Sequence, residues 1–250
     1  MIPLKSEKDL DLLRQSGKIL AEVMKKIEAK VKPGVTTEDL DFLACELILE
    51  RKALPAFKGY KGFPASLCAS VNEEIVHGIP DDRVLEEGDI ISLDLGVNYE
   101  GFFTDAAITV GVGKIDSKNK KLIEVTKAAL LEGLKQAKAD NRISDIGSAI
   151  QKYVEKNGFS VVRDFVGHGI GRNLHEEPEI PNFGLPNRGE IIRPGMVLAI
   201  EPMVNTGTWE CAILDNGWTA VTRDHLPSAH FEYTVAVTEK GTEILTKIYG

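Results

Sequence analysis

Apolar positions at the start of the chain recur at helical spacing. Leu13, Leu20, Met24 and Ile27 share one face, and Ser6-Glu7-Lys8-Asp9 before them reads as a capping box, so a helix is predicted until Lys32-Pro33-Gly34 stops it. A second helix follows, with Thr37 as its cap and Leu40, Leu43 and Leu47 as its buried stripe. The run Ala53 to Phe63, rich in Gly, Pro and aromatics, breaks that period, and strand patterns dominate to Val110. The pattern then begins again. Ser117 is placed to cap a helix through Ala139, and Ser144 one through Asn157, with Gly158 as its stop.

The restart is a repeat. Val84 to Asp94 reads VLEEGDIISLD and Ile191 to Glu201 reads IIRPGMVLAIE; Gly88 aligns with Gly195, Leu93 with Ile200 and Asp94 with Glu201, all at an offset of 107 residues. Thr37 and Ser144, Leu43 and Ile150, and Leu47 and Val154 keep that offset. Two helices followed by strands, occurring twice, imply an α+β fold with pseudo-twofold symmetry, strands inside and helices packed on one side. The halves are roughly 1–110 and 111–250, and without a linker between them a single domain over 1–250 is expected. An acid ends each repeated strand. A carboxylate after several buried positions is costly unless something charged or protic meets it, and the symmetry brings Asp94 and Glu201 together near the axis.

Composition narrows the partners. The net charge of −8 over 250 residues argues against nucleic-acid or anionic-membrane surfaces. Cys45, Cys68 and Cys211 lack CxxC spacing and read as reduced thiols, neither a disulfide framework nor a zinc site. No apolar run is long enough to span a membrane and the N-terminus lacks a signal-like pattern, so a cytoplasmic location is expected.

Residues 89–110 read as a hairpin turning at Asn98-Tyr99-Glu100-Gly101. With its centre between Tyr99 and Glu100, Asp94 falls directly opposite Asp105. Like charges opposed on a sheet are destabilising, and the small neighbours Ser92, Gly96 and Ala107 bring no base. A cation is the simple remedy. A solvated pair near a turn is the ordinary alternative, but Ile90, Ile91, Leu93 and Leu95 around Asp94 argue for burial on both faces. Glu232 sits in the β-rich run His230 to Val237, where the alternative is an edge acid facing solvent. His168 lies among the glycines of Gly167 to Gly171, where backbone and ligand approach closely. Four carboxylates and one imidazole suit a pair of divalent ions that activate a water, which points to metal-assisted hydrolysis and leaves the substrate open.

The motifs HGIP (His77 to Pro80), DLG (Asp94 to Gly96), TDAA (Thr104 to Ala107), GHGIG (Gly167 to Gly171), HEEP (His175 to Pro178) and EP (Glu201-Pro202), with Glu232 in an SAxxE setting from Ser228, make the chain resemble the type I methionine aminopeptidases end to end. The resemblance implies a pita-bread fold with a central curved antiparallel sheet. It implies two divalent metals held by Asp94, Asp105, His168, Glu201 and Glu232, with Asp105 and Glu232 bridging; cobalt, manganese, iron and zinc all stay open. A bridging hydroxide would attack the carbonyl after the initiator methionine of peptides and nascent chains with a small second residue. Glu201 would carry the proton to the leaving amine, His175 would stabilise the oxyanion, and His77 would contact the scissile amide or the next residue. The methionine pocket would be lined by Tyr60, Phe63, Cys68, His77 and Trp218, with His175 also binding the substrate and Met203 as a further candidate. Without the resemblance these residues read as ordinary core.

Phe57 stands where relatives often have Cys, Phe63 where Tyr also occurs, and Leu174 where an aromatic is common, which leaves pocket shape less defined than the metal site. Asn72, Glu74 and Ser228 fall where the family binds a monovalent cation through backbone carbonyls. A monomer and a transient ribosome contact are further expectations. His225 has no assigned role, and His230, two residues from Glu232, reads either as a support behind the metal ligands or as strand filler, with filler preferred. An Xaa-Pro aminopeptidase or prolidase of the same fold competes, although those usually carry a large N-terminal domain for which the chain has no room. A type II methionine aminopeptidase is disfavoured because no insertion interrupts Arg188 to Glu232. A non-catalytic member would be expected to lose ligands, and all five are present.

Overall fold

A computed structural model describes residues 2–249. Four helices carry the apolar stripes: α1 (Glu7–Glu28), α2 (Thr37–Glu50), α3 (Ser117–Leu134) and α4 (Ile143–Lys156). The capping box on α1 forms as expected, with the Ser6 hydroxyl accepting from the Asp9 N–H and the Asp9 carboxylate accepting from the Ser6 N–H. The other three starts differ from expectation because each Ser or Thr hydroxyl is engaged elsewhere or a better acceptor precedes it. Thr36 caps α2, while the Thr37 hydroxyl bonds to Asp81. Asp116 caps α3 in place of Ser117. At α4 the Asp145 carboxylate accepts from the Arg142 N–H, and the Ser144 hydroxyl accepts from Arg188. Helix α3 stops at Leu134 rather than Ala139, closing in short-range bonds from Gln136 N–H to Gly133 and Ala137 N–H to Leu134.

The strands form four sheets, all paired antiparallel. One joins Leu54–Pro55, Leu67–Val71 and the long hairpin Ile90–Tyr99/Phe102–Gly111. A five-stranded sheet runs Gly241–Ile244, Tyr233–Thr238, Val197–Ile200, Gly167–Gly169, Glu176–Ile180. Two three-stranded sheets complete it: Ser228–His230 with Met203–Asn205 and Ser160–Val161, and Cys211–Ile213 with Ala220–Thr222 and Glu74–Val76.

The hairpin register corrects the expectation. Glu100 and Gly101 both take positive φ, 50° and 82°, and form the two-residue turn themselves, so Tyr99 pairs with Phe102. Asp94 therefore faces Ala107, and Asp105 faces Gly96. A shift of two residues keeps both aspartates on one face as diagonal neighbours, each with a small residue opposite.

The sequence repeat is a repeat of hydrogen bonding. Gly88 donates to Val112 and Gly195 to Val237; Val112 donates back to Asp89 and Val237 to Met196. The bridges Thr36 to Val84 and Arg142 to Ile191 correspond as well, with Val84 and Ile191 at the expected offset of 107 residues while α2 and α4 repeat at 106, one residue short of the expected alignment of Thr37 with Ser144. Threonines join the halves. The Thr234 hydroxyl accepts from the Asp105 N–H (2.9 Å) and donates to the Asp105 carbonyl (2.7 Å), while the Thr109 hydroxyl does the same for His230 at 2.8 Å in both directions. Between the clamps, the Glu232 N–H donates to the Ala107 carbonyl. One apolar cluster takes Leu20, Met24, Ile91 and Ile108 from the first half and Leu122, Ile150, Leu198 and Val235 from the second.

Replacing Thr234 by Val, its near-isostere, leaves the buried Asp105 N–H and carbonyl without this partner. The loss is expected to cost about 1–3 kcal/mol, read from urea unfolding, whereas an unchanged midpoint would show that the clamp carries no stability.

Candidate active site

Where the two halves meet, a cavity of about 160 Å³ is lined by Asp94, Asp105, His168, Glu201 and Glu232 at its base. Its upper walls are Tyr60, Phe63, Cys68, His77, His175 and Trp218, joined by Phe57, Lys61 and Leu174. The hairpin supplies Asp94 and Asp105, the strand Val197–Ile200 ends immediately before Glu201, and Glu232 precedes the strand Tyr233–Thr238. His168 is central in Gly167–Gly169, and both flanking glycines are required there. A Cβ on Gly167 would lie 2.4 Å from the Ala199 carbonyl oxygen, and one on Gly169 2.2 Å from that of Glu177.

Asp105, His168 and Glu232 are buried, and one ligand atom from each lies within 4.8 Å of the others. Asp94 Oδ1, Asp105 Oδ1 and Glu232 Oε1 are buried without a hydrogen-bond partner. The His168 tautomer follows from its neighbour. The Gly169 carbonyl can only accept, so Nδ1, 2.9 Å away, carries the hydrogen, and Nε2 keeps its lone pair free 3.6 Å from Glu201 Oε1. Orphaned carboxylate oxygens and a bare imidazole nitrogen are the donor set of a divalent transition-metal ion, and the residues fit one.

The acids respond to one another. Burial pushes Glu201 up to about 7 and Asp94 up to about 6, the latter helped by the nearby Glu201 charge. Burial, then repulsion from the neighbouring carboxylates, holds Asp105 and Glu232 well above the usual range. Cys68, paired across the strands with Asp94, has its thiol pushed well up by burial and by the same acids, which makes it an unreactive wall residue.

The histidines above the acids are neutral. Burial, then the proximity of His168, Lys61 and His77, lowers His175 to about 3, and burial with His230 nearby lowers His77 to about 4. His175 stacks on Tyr60 at 5.2 Å, and its Nδ1 is 2.9 Å from the tyrosine hydroxyl. His77 takes a φ of 60°, a strained value for a non-glycine residue of the kind that gathers at functional sites. Its ring meets Phe165 and Trp218 edge-on, and Trp218 meets Phe63 at 5.2 Å.

Met203, considered a pocket candidate from sequence, is placed elsewhere. It is fully buried against Ile75, Val76, Val162 and Ala220, because its strand pairs with Ser228–His230 and points it into that cluster. The candidates for a monovalent cation form a separate group. The Ser228 N–H donates to the Asn72 carbonyl, and Glu74 is paired with Arg83 at 3.1 Å. Lys61 and Phe165 were not singled out from sequence: an exposed-looking lysine and a lone phenylalanine give no periodic signal, and only the turns that position them bring them to the site.

The chain belongs to metallopeptidase family M24, whose profile matches residues 11–239. It is 55% identical over 248 residues to the methionine aminopeptidase of Clostridium perfringens, covering 99% of this chain and 100% of that protein. It superimposes on the crystal structure of methionine aminopeptidase from Thermotoga maritima with a TM-score of 0.97 and 45% identity, covering 98% of this chain and 99% of that one. The prolidase of Pyrococcus horikoshii shares the fold, with a TM-score of 0.81 at 22% identity, covering 98% of this chain and 64% of that one. The fold is thus the pita-bread fold, and the buried carboxylate–histidine group is a metallopeptidase metal site. Among the described residues no helix is long and apolar enough to cross a membrane.

The raised acids set the pH dependence of the chain stripped of metal. Each stays protonated when folded at pH values where it ionises unfolded, near 4, so its stabilisation is complete below about pH 4 and is lost as pH rises through 6 to 7. The melting temperature of chelator-treated protein is expected to fall between about pH 5 and pH 8, and the rise on adding Mn²⁺ to grow over the same range. A melting temperature flat across this range would contradict the burial of these acids.

Proposed function

We infer that this chain is a methionyl aminopeptidase, removing the N-terminal methionine from peptides and nascent proteins with a small second residue. The observation that carries the reading is the convergence of four carboxylates and a bare imidazole nitrogen beneath a pocket of Phe63, Cys68, His77 and Trp218. An apolar pocket with one sulfur and several ring faces suits the methionine side chain. The acids below it favour a free α-amino group over a neutral internal peptide.

Asp94, Asp105, His168, Glu201 and Glu232 would hold the two divalent ions. When bound, such ions supply Lewis acidity and a strong nucleophile at neutral pH. Glu201, open to the cavity, takes up a proton and returns it to the leaving amine nitrogen. Neutral His175, with Nδ1 accepting from the Tyr60 hydroxyl, presents an Nε2–H to the developing oxyanion. His77 sits beside the methionine pocket, where the scissile amide passes. We take the two halves, 1–110 and 111–250, as one catalytic domain, acting as a cytoplasmic monomer on chains as they emerge from the ribosome. The carbonyls of Asn72, Glu74 and Ser228 are candidates for a structural monovalent cation.

Met-Ala-Ser should be turned over with Co²⁺, Mn²⁺, Fe²⁺ or Zn²⁺, and Xaa-Pro peptides should not; the reverse preference would assign the site to prolidase chemistry. Replacing His175 by Ala is expected to lower kcat by about 10²–10³ while bound-metal content, measured by elemental analysis, stays unchanged. An unaltered kcat would remove His175 from oxyanion stabilisation.

A further inference from the structure

His230 is 1% exposed, and neither of its ring nitrogens has a hydrogen-bond partner. Burying an unpaired polar ring is costly, and an apolar residue would fill a strand position without that cost. The nearest carboxylate oxygen is Glu201 Oε2, 3.6 Å from Nε2, slightly beyond hydrogen-bond length. On its other side, Glu201 Oε1 lies 3.6 Å from His168 Nε2, so each oxygen of this carboxylate faces one imidazole.

The backbone of His230 is held as firmly as that of a ligand. Thr109 grips both its N–H and its carbonyl, just as Thr234 grips those of Asp105. These two clamps are equivalent under the pseudo-twofold symmetry, which puts His230 in the position that Asp105 occupies in the other half. The repeat thus supplies a carboxylate on one side of the axis and an imidazole on the other.

We propose that His230 is a positioning residue for Glu201, donating its Nε2–H to Oε2 and leaving Oε1 to bind the divalent ion. The assignment rests on the reading of this cavity as a metal centre with Glu201 among the ligands. A carboxylate bonded at one oxygen cannot rotate freely, so its second oxygen is presented to the ion in one orientation. The tautomers of the two imidazoles are then opposite. His168 carries its hydrogen on Nδ1 and offers a lone pair, whereas His230 carries its hydrogen on Nε2 and offers a donor.

The test compares H230Q and H230M, similar in length and differing in the presence of a donor, by Mn²⁺ titration calorimetry and steady-state kinetics. H230M is expected to lose about 10–100-fold in Mn²⁺ affinity and to lower kcat with KM little changed, while H230Q stays within about threefold of wild type. Equal affinity in the two variants, whether wild-type or weakened, would overturn the proposal, since packing alone would then explain the residue. Histidine ¹⁵N spectra of the Zn²⁺-loaded wild-type enzyme decide the point even if H230M does not fold: hydrogen on Nε2 supports the proposal and hydrogen on Nδ1 overturns it. A wild-type chain that binds neither ion would overturn the metal-centre reading itself, a result distinct from wild-type binding with two indistinguishable variants.

Discussion

Four carboxylates face one cavity in the interior of this protein, and among the described residues no lysine or arginine forms an ion pair with them. Everything around them answers to that constraint. Protons can discharge the acids, which is why all four carboxyls are pushed upward, but protonated acids leave oxygens without partners. A metal cation at this site would resolve both problems at once, neutralising charge and supplying the missing contacts. A site of this kind makes folding and metal binding parts of one equilibrium, so the scaffold must hold mutually repelling groups in place before the ion arrives.

The scaffold does so with backbone rather than with side-chain packing. The carboxylates sit at strand positions or strand ends, and the halves are tied by Thr109, Thr234 and the bond from Glu232 to Ala107. A threonine hydroxyl that both accepts and donates satisfies two buried backbone groups with one oxygen, leaving the acid side chains free of structural duties. The residues opposite the aspartates, Ala107 and Gly96, are small, and at Gly96 even a Cβ would lie 2.6 Å from the Phe57 ring and 2.8 Å from the Ala56 side chain. Symmetry provides the frame, and unlike residues at equivalent places give it chemistry: Asp94 against Glu201, Asp105 against His230.

Much of this was legible in the sequence because its causes are local or periodic. The capping box at Ser6, the helical stripes, and the acid-ended strands repeated at an offset of 107 residues all record short-range physics. The glycines around His168 were legible for the same reason. What was not legible depended on competition between near-equal local choices. Either of two adjacent threonines could cap α2, and the contact of Thr37 with Asp81, far along the chain, decided it. The hairpin could turn about two adjacent centres, and the willingness of Glu100 to take a positive φ beside Gly101 selected one. The displaced register still left both aspartates on one face, because strand geometry depends on parity. Met203 and His230, which pair with each other across adjacent strands, marked the limit of such reasoning. Alternation says that a strand residue is buried, and it does not say which cavity the side chain enters.

The chemistry and the pocket also ride on different parts of the fold. The acids and His168 come from the hairpin and the five-stranded sheet, together with Glu232 just before the strand Tyr233–Thr238. His77 and Trp218 flank the two paired strands Glu74–Val76 and Ala220–Thr222 of a separate three-stranded sheet, and Tyr60 and Phe63 belong to the irregular segment before Leu67–Val71. The strain at His77 lies on this second part. Its positive φ comes directly before Gly78, whose backbone passes so close to the Ala69 carbonyl that a Cβ would lie 2.4 Å from the oxygen. The part of the wall on this small sheet and on the loop before Leu67–Val71 can change its side chains without shifting the strands that carry the acids, whereas Cys68 lies on the strand paired with Asp94 and His175 adjoins the strand paired with His168. The pita-bread frame is retained at 22% identity, so the fold does not depend on which side chains line the wall.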